Sequence, residues 1–350
     1  MSTTPRIAFI GCGTHSTNNL YPCLAYADCR LDAVVDLDRA LAERNARIFG
    51  GASSYTDVRA MLDERKPDGV FIVGPPQIHY EIGKQVLARG IPLYVEKPTA
   101  PTLAQAREMV GLARANGTFV MTGYMKRFGL PYRKARELMT SGGFDPSMGW
   151  FRYAHWQSGK LDDMLLVMSV HIIDLAISFF GAPLAVSSQS MRRNDRVSLA
   201  LTLRFAGGRM AQLTLDSSQP RIQERIEISG VMDGANALIV VDNVQHMELH
   251  RGNDGGTDVL APSMQEIEPR VPLGEISIWR PDYGIPNMGQ TRHFFQGFTG
   301  AVREFVNAIK AKRDPSPSPE EALWAMEVID AVIRKPDGTT ELRAASAAAG

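Results

Sequence analysis

DGVFIVGPPQIHYEIGKQVLARGIPLYVEKP, residues 68–98, carries two short apolar runs with a helical stretch between them. DGVFIVG (68–74) and LYV (93–95) read as buried strands, and Gln77 to about Ala88 reads as a helix. A strand, a helix and a second strand in so short a stretch form a βαβ unit, which makes the two strands parallel. The stretch ends in Glu96-Lys97-Pro98, directly after the second strand. Ligands of an open parallel sheet bind outside the carboxyl ends of its strands, so a lysine there reaches a bound molecule. The proline fixes the backbone that carries it.

The same alternation extends both ways. RIAFI (6–10) is a strand ended by Gly11-Cys12-Gly13, and residues 16–27 carry a helical pattern through Leu20, Leu24 and Ala27. LDAVVD (31–36), the helix DRALAERNARIF, a helix near Leu103–Ala115 and TFVMTG complete the series. Repeated βα units predict an α/β fold, a doubly wound parallel sheet over residues 1–123.

Beyond residue 123 the pattern changes. Helices are expected at Tyr132–Thr140 and Met164–Phe180, then strands at 197–205, 209–216, 225–229, 237–241 and 246–250. Gly207-Gly208 marks a hairpin between the first two. Consecutive strands predict an open, mainly antiparallel sheet in an α+β domain over 124–350, closed by helices at Arg292–Lys312 and Pro319–Ile333. Residues 251–290, rich in Gly, Pro and Asp, read as a long functional loop.

With 350 residues the chain is long enough for two domains, and 44% hydrophobic with 22% charged content is ordinary for a globular protein. Lys+Arg and Asp+Glu balance at 38 each, so bulk charge favours neither nucleic acid nor an anionic membrane. No apolar run reaches the roughly 18 uninterrupted residues of a membrane helix. The N-terminus lacks the features of a signal peptide. Cys12, Cys23 and Cys29 read as reduced thiols, and the expected location is cytoplasmic. No metal site is expected.

Gly11-Cys12-Gly13-Thr14-His15-Ser16 lies between a strand and a helix, the context of a dinucleotide fingerprint. Gly11 permits the tight turn, Gly13 admits a pyrophosphate to the helix N-terminus, and Thr14 and His15 open that helix. Asp36 ends the second strand, where its carboxylate suits ribose hydroxyls and repels a 2′-phosphate, so NAD is expected over NADP. Without a ligand, the same residues make a tight βα turn with a capping acid. Gly74 and Pro75 line the nicotinamide side of the cleft with His79, or else Pro76 starts a helix that His79 caps. In Met164–Phe180, Met168, Ile172, Leu175, Ala176 and Phe179 form the core stripe, beside a second stripe of Val167, His171, Asp174 and Ser178. His171 and Asp174, three apart, face the same way: an acid/base pair, or a half-buried histidine with a satisfied ring. Tyr124, Arg127, Trp156, Trp279 and Asn287 suit sugar faces and hydroxyls, and equally suit packing.

Together GPPQIHYEIGKQVLARGIPLYVEKP (74–98), GYMKRF (123–128), HIIDLA (171–176) and the closing segment from HFFQGFTGAVREF onward resemble the Gfo/Idh/MocA family. The resemblance spans nearly the whole chain. It implies an N-terminal Rossmann domain, a C-terminal domain whose open sheet often joins subunits into a homodimer or homotetramer, and hydride exchange between nicotinamide and a sugar, polyol or inositol hydroxyl carbon. By the family motif, Lys97 contacts the reacting oxygen and the nicotinamide ribose, Glu96 supports it, and His171 matches the catalytic histidine. Tyr124, Arg127, Trp156, Asp174 and Asn287 are the expected substrate contacts. The family pattern Asp-x-x-x-His is broken here, because Val167 stands at the aspartate position. That departure keeps two alternatives open: a non-catalytic NAD-binding regulator, and an enzyme that retains NAD for isomerisation, elimination or glycoside cleavage.

Overall fold

The computed structural model describes residues 4–155, 159–252, 274–280 and 291–342. The apolar runs of the first third form strands β1 (Arg6–Ile10), β2 (Arg30–Val35), β3 (Ser54–Tyr55), β4 (Gly69–Ile72), β5 (Leu93–Val95) and β6 (Val120–Thr122). They lie in the order β3-β2-β1-β4-β5-β6, and every pair is parallel. Helices α1 (Arg39–Phe49), α2 (Val58–Arg65), α3 (Pro76–Leu87) and α4 (Leu103–Ala115) connect them. Local chemistry sets the ends: Asp38 caps α1 by accepting from the Ala40 and Leu41 amides, and Gly50 stops it in a left-handed turn.

The helix expected over 16–27 is instead a π-turn, Ser16–Leu20, followed by a 3₁₀ segment, Tyr21–Tyr26. Pro22 has no amide to donate and crowds the preceding turn, so an α-helix cannot run through it. Cys12 and Cys23 are buried, Cys29 is partly so, and all three thiols are free.

The second half opens with a single turn, Met125–Phe128, and α5 (Leu130–Thr140). Its sheet comprises β7 (Phe144–Ala154), β8 (Pro183–Arg193), β9 (Arg196–Phe205), β10 (Met210–Asp216), β11 (Gln223–Met232), β12 (Ala235–Asp242), β13 (His246–Arg251), β14 (Glu275–Trp279) and β15 (Gly338–Glu341). The order is β14-β13-β12-β11-β7-β10-β9-β8-β15. Only β7 and β10 pair in parallel. Sequence patterning missed β7, β8, β14 and β15; β14 falls inside residues 251–290, which were read as a loop. Register explains the alternation along the strands. Met247, Val241, Ile226, Phe151, Leu213 and Leu201 form one buried row across six strands. The adjacent row, Glu248, Val240, Glu227, Trp150, Gln212 and Thr202, points the other way.

The buried face packs on one long helix made of α6 (Leu161–Asp163), a π-turn (Met164–Ser169) and α7 (Val170–Phe180). By length and composition Leu161–Phe180 could cross a membrane, contrary to the sequence expectation that no run was long enough. It is 72% buried within the protein and serves as a core helix. Three more helices follow: α8 (Thr291–Phe295), α9 (Phe298–Ala311) and α10 (Pro319–Arg334). The single helix expected at Arg292–Lys312 is therefore broken, at Gly297, whose φ of 92° no helix continues.

Helix α9 returns to the first sheet. Phe305 is fully buried, with its ring edge-on to Phe71, Tyr94 and Phe119 at centroid distances of 4.8, 5.9 and 5.9 Å. Phe305→Ala is expected to cost about 3–5 kcal/mol, read as a lowered urea midpoint.

Candidate active site

The turns that leave β1, β4, β5 and β6 lie side by side. Val73 donates its amide to Ile10, Glu96 to Ile72 and Gly123 to Val95, at 2.9, 3.2 and 2.8 Å. Gly11 has φ 103°, and a Cβ there would stand 2.1 Å from the Val73 carbonyl oxygen, so this turn accepts only glycine. Gly13, Thr14 and His15 are exposed beside it, as are Gly74 and Pro75 across the crevice. A Cβ at Gly13 would meet nothing within 4 Å, which leaves open space above the turn. The Asp36 carboxylate accepts from the Cys12 amide at 2.7 Å and the Asp38 amide at 2.9 Å, so it sits against the glycine turn.

Lys97 stands at the end of β5. Its ammonium donates to the main-chain carbonyl of Val167, at 2.7 Å, in the π-turn of the long helix. Burial lowers its pKa from the ordinary lysine value; Glu96 opposes the shift and Lys126 adds to it. Glu96 is 5% exposed and accepts from the Tyr94 hydroxyl at 3.2 Å, while His15 lies 3.7 Å away. Gly123 makes room for this carboxylate: a Cβ there would be 2.5 Å from the Tyr94 hydroxyl.

His79 departs from both expectations made for it. It is fully buried, and so faces no cofactor. Its Nε2 accepts from the Gly74 amide at 3.4 Å and its Nδ1 donates to the Pro98 carbonyl at 3.0 Å. Burial lowers its pKa, favouring the neutral ring that this pair of bonds requires. His79 thus ties the β4 turn to the Lys97 turn.

His171 lies four residues after Val167 on the same helix. It is 7% exposed, and its Nδ1 has no hydrogen-bond partner among the described residues. Burial, then Lys97, Lys126 and His15, push its pKa well below the ordinary value. The expected His171–Asp174 pair does not form. Arg127 takes both oxygens of Asp174 in three bonds of 2.7–3.1 Å, and the two side chains are 5% and 1% exposed. Burial works against the Arg127 charge, but Asp174 more than offsets this and raises its pKa. Tyr124 is fully buried and donates to the Ala322 carbonyl at 3.3 Å. Tyr124, Arg127 and Asp174, expected as substrate contacts, are instead buried and bonded to one another or to the backbone. Trp156 and Asn287 lie outside the described residues. Trp279 sits far along the second sheet on β14, with the Lys134 ammonium 5.4 Å from its ring centre.

Sequence reasoning missed Lys126. It is 8% exposed and paired with Glu224, which also accepts from the Tyr132 hydroxyl. The visible signal was a second basic residue inside GYMKRF, an otherwise apolar turn. Among the described residues no His, Cys, Asp and Glu group is arranged to hold a metal ion.

Family models cover both halves. Residues 5–124 match an oxidoreductase family with an NAD-binding Rossmann fold, and residues 135–340 match its C-terminal alpha/beta domain. The chain belongs to the Gfo/Idh/MocA oxidoreductase family. D-glucoside 3-dehydrogenase of Escherichia coli is 32% identical over 201 residues, covering 52% of this chain. The chain thus spans about half, 56%, of that relative's length. Two solved structures share the fold. A dehydrogenase from Chromobacterium violaceum superposes with a TM-score of 0.82 at 23% identity, covering 96% of each chain. A levoglucosan dehydrogenase in complex with NADH and levoglucosan has a TM-score of 0.76 at 17% identity, covering 97% of this chain and 100% of its own.

Asp174→Ala would leave Arg127 buried without its carboxylate. A stability loss of about 3–5 kcal/mol is expected in chemical denaturation, whereas a surface pair such as Arg334–Asp330 should contribute less than about 1 kcal/mol.

Proposed function

We propose that the chain is an NAD-dependent dehydrogenase that moves a hydride between nicotinamide and a hydroxyl-bearing carbon of a sugar, polyol or inositol. One observation carries this: His171, buried with an unpartnered Nδ1, stands one helical turn from the carbonyl that holds Lys97. An unsatisfied buried ring nitrogen is costly unless something completes it, and the hydroxyl of a bound substrate would supply that partner. The exposed Gly13, Thr14 and His15, with open space above Gly13, fit a pyrophosphate; Gly74 and Pro75 fit the nicotinamide side. Asp36, at the end of β2, suits ribose hydroxyls and supports NAD over NADP. When bound, the nicotinamide ring supplies the hydride acceptor.

The residues handle the proton. Lys97 in its neutral form takes the hydroxyl proton at Nζ, and the lowered pKa enlarges that neutral fraction near physiological pH. His171, held neutral by burial and its cationic neighbours, accepts a hydrogen bond from the same hydroxyl or takes the proton itself. Glu96 fixes the turn through its bonds to Tyr94 and the Lys97 amide. The same reading places the protein in the cytoplasm as a homodimer or homotetramer. Exposed Trp150, Ile276 and Ile278 on the large sheet support such an assembly.

The test is NADH formation across sugars, inositols and sugar acids. Lys97→Ala should lower kcat/KM by about 10²–10⁴-fold while the dissociation constant for NAD stays within a few-fold. NAD binding without turnover would favour the regulator that Val167 motivates. Product without net NADH, with cofactor copurifying, would favour the retained-NAD enzyme.

The pH dependence follows from the sign of the Lys97 shift. The base is the neutral amine, so kcat/KM should rise with pH as Lys97 loses its proton. Its midpoint should lie below the free-lysine value of about 10.4. A rate that falls over that limb would exclude the role.

A further inference from the structure

His15 is exposed on the glycine turn, yet its ring is held in place. The Phe298 ring meets it edge-on at a centroid distance of 5.8 Å. Its Nδ1 lies 3.1 Å from the side-chain nitrogen of Asn19, and its Nε2 lies 3.7 Å from Oε2 of Glu96. Asn19 is buried, and the oxygen of its amide accepts from the Arg292 guanidinium of α8 at 3.0 Å. Helix α8 is itself seated on this segment. His293 donates to the Asn18 carbonyl at 2.8 Å, and Phe294 lies edge-on to Tyr26 at 4.9 Å.

These contacts decide which ring nitrogen carries the proton. A guanidinium only donates, so the oxygen of the Asn19 amide faces Arg292. The amide nitrogen, which also only donates, then faces His15, and Nδ1 has to accept from it. A neutral imidazole with an accepting Nδ1 carries its proton on Nε2, and that N–H is the one beside Glu96. The Glu96 carboxylate already takes the Tyr94 hydroxyl and the Lys97 amide. At 3.7 Å His15 adds electrostatic support rather than a full hydrogen bond.

We propose that His15 is a positioning residue for the turn that carries Lys97, and that Arg292 sets its tautomer through Asn19. The donor end of the ring meets the carboxylate next to Lys97. In the other tautomer a lone pair would face that carboxylate and push the two turns apart. The glycine turn and the lysine turn are thereby joined by a ring whose polarity is chosen from α8, in the second half of the chain. This rests on Lys97 being the base, and it deepens that role.

Long-range proton–nitrogen correlation spectra of histidine-labelled protein, taken at about pH 8 where a free imidazole is neutral, separate the two tautomers without substrate. The His15 signals are assigned by their loss in His15→Gln. The unsubstituted protein should carry the proton on Nε2. Arg292→Lys keeps a donor and should leave it there. Arg292→Glu only accepts, so it should turn the Asn19 amide around and move the proton to Nδ1. Arg292 is exposed, which makes both variants mild for folding, and Asn19→Asp should repeat the Arg292→Glu result with an acceptor of the same shape. Lysine-labelled samples report the neighbouring turn through the Lys97 amide, which Glu96 holds. That resonance should move in Arg292→Glu and keep its position in Arg292→Lys. At saturating NAD and substrate, kcat should fall about tenfold in Arg292→Glu and be retained in Arg292→Lys. A proton on Nδ1 in the unsubstituted protein overturns the proposal. So does a Lys97 amide that moves in both variants or in neither, or a kcat that Arg292→Glu leaves unchanged. An inverted tautomer with a displaced Lys97 amide, while no member of the substrate panel turns over, would uphold the positioning and count against the dehydrogenase reading.

Discussion

A parallel sheet has to be covered on both faces, because its strands are apolar throughout and its connections run over them. This chain completes the cover with α9, supplied from near its far end. Phe305 sits among Phe71, Tyr94 and Phe119, and the aliphatic end of Ile309 reaches the backbone of Gly69. That borrowing ties the two halves together. With α9 seated under the first sheet, α10 runs along α4, where Arg107 reaches Glu327 and Arg114 reaches Asp314 and Glu320. The exposed ion pairs add little individually; the buried rings supply the energy, and the pairs set the alignment. The 2.7 Å contact between Lys97 on one half and Val167 on the other depends on that alignment, since neither residue belongs to the elements that create it.

Burial is the largest influence on both Lys97 and His171, the groups proposed to handle the proton. It lowers the pKa of the Lys97 amine and the His171 ring together. The carboxylates present are already committed. Glu224 holds Lys126, Asp174 holds Arg127, and Glu96 is engaged by Tyr94 and the Lys97 amide. Among the described residues these acids organise cations or turns, which leaves Lys97 and His171 as the groups we propose exchange the proton. This division suits a reaction that needs a base next to an oxidised, positively charged ring.

Much of this was legible in the sequence, and the boundary is physical. Strands such as Arg6–Ile10 and Gly69–Ile72 declare themselves because both faces are buried and the run is continuous. The position of Lys97 just beyond a strand end was legible for the same reason, because the strand Leu93–Val95 is buried throughout. β7 was missed because its alternation is diluted by Pro146, Ser147 and Gly149. The break at Gly297 and the interruption at Pro22 depend on single residues inside otherwise helical patterns. The Arg127–Asp174 bond was beyond reach altogether: its partners lie 47 residues apart, and helical spacing offered His171 as the nearer and wrong partner for Asp174. Burial of His79 was hidden in the same way, because its two acceptor and donor partners come from different turns.

At position 167 it is the backbone, not the side chain, that meets the lysine. A π-turn shifts the helix from i→i−4 to i→i−5 bonding, as when Val170 donates to the Leu165 carbonyl, and such turns gather at functional sites. Here the turn brings the Val167 carbonyl to the Lys97 ammonium. The carbonyl fixes the position of the amine through one hydrogen bond of 2.7 Å, where a carboxylate could also accept. It differs in charge. An aspartate would stabilise the ammonium by Coulombic attraction in a partly buried site, where that attraction is strong; a carbonyl dipole does so far less. Val167 therefore holds the lysine through a neutral dipole and adds no negative charge beside it. The loss of an acid from the helix is thus compatible with a working base at Lys97.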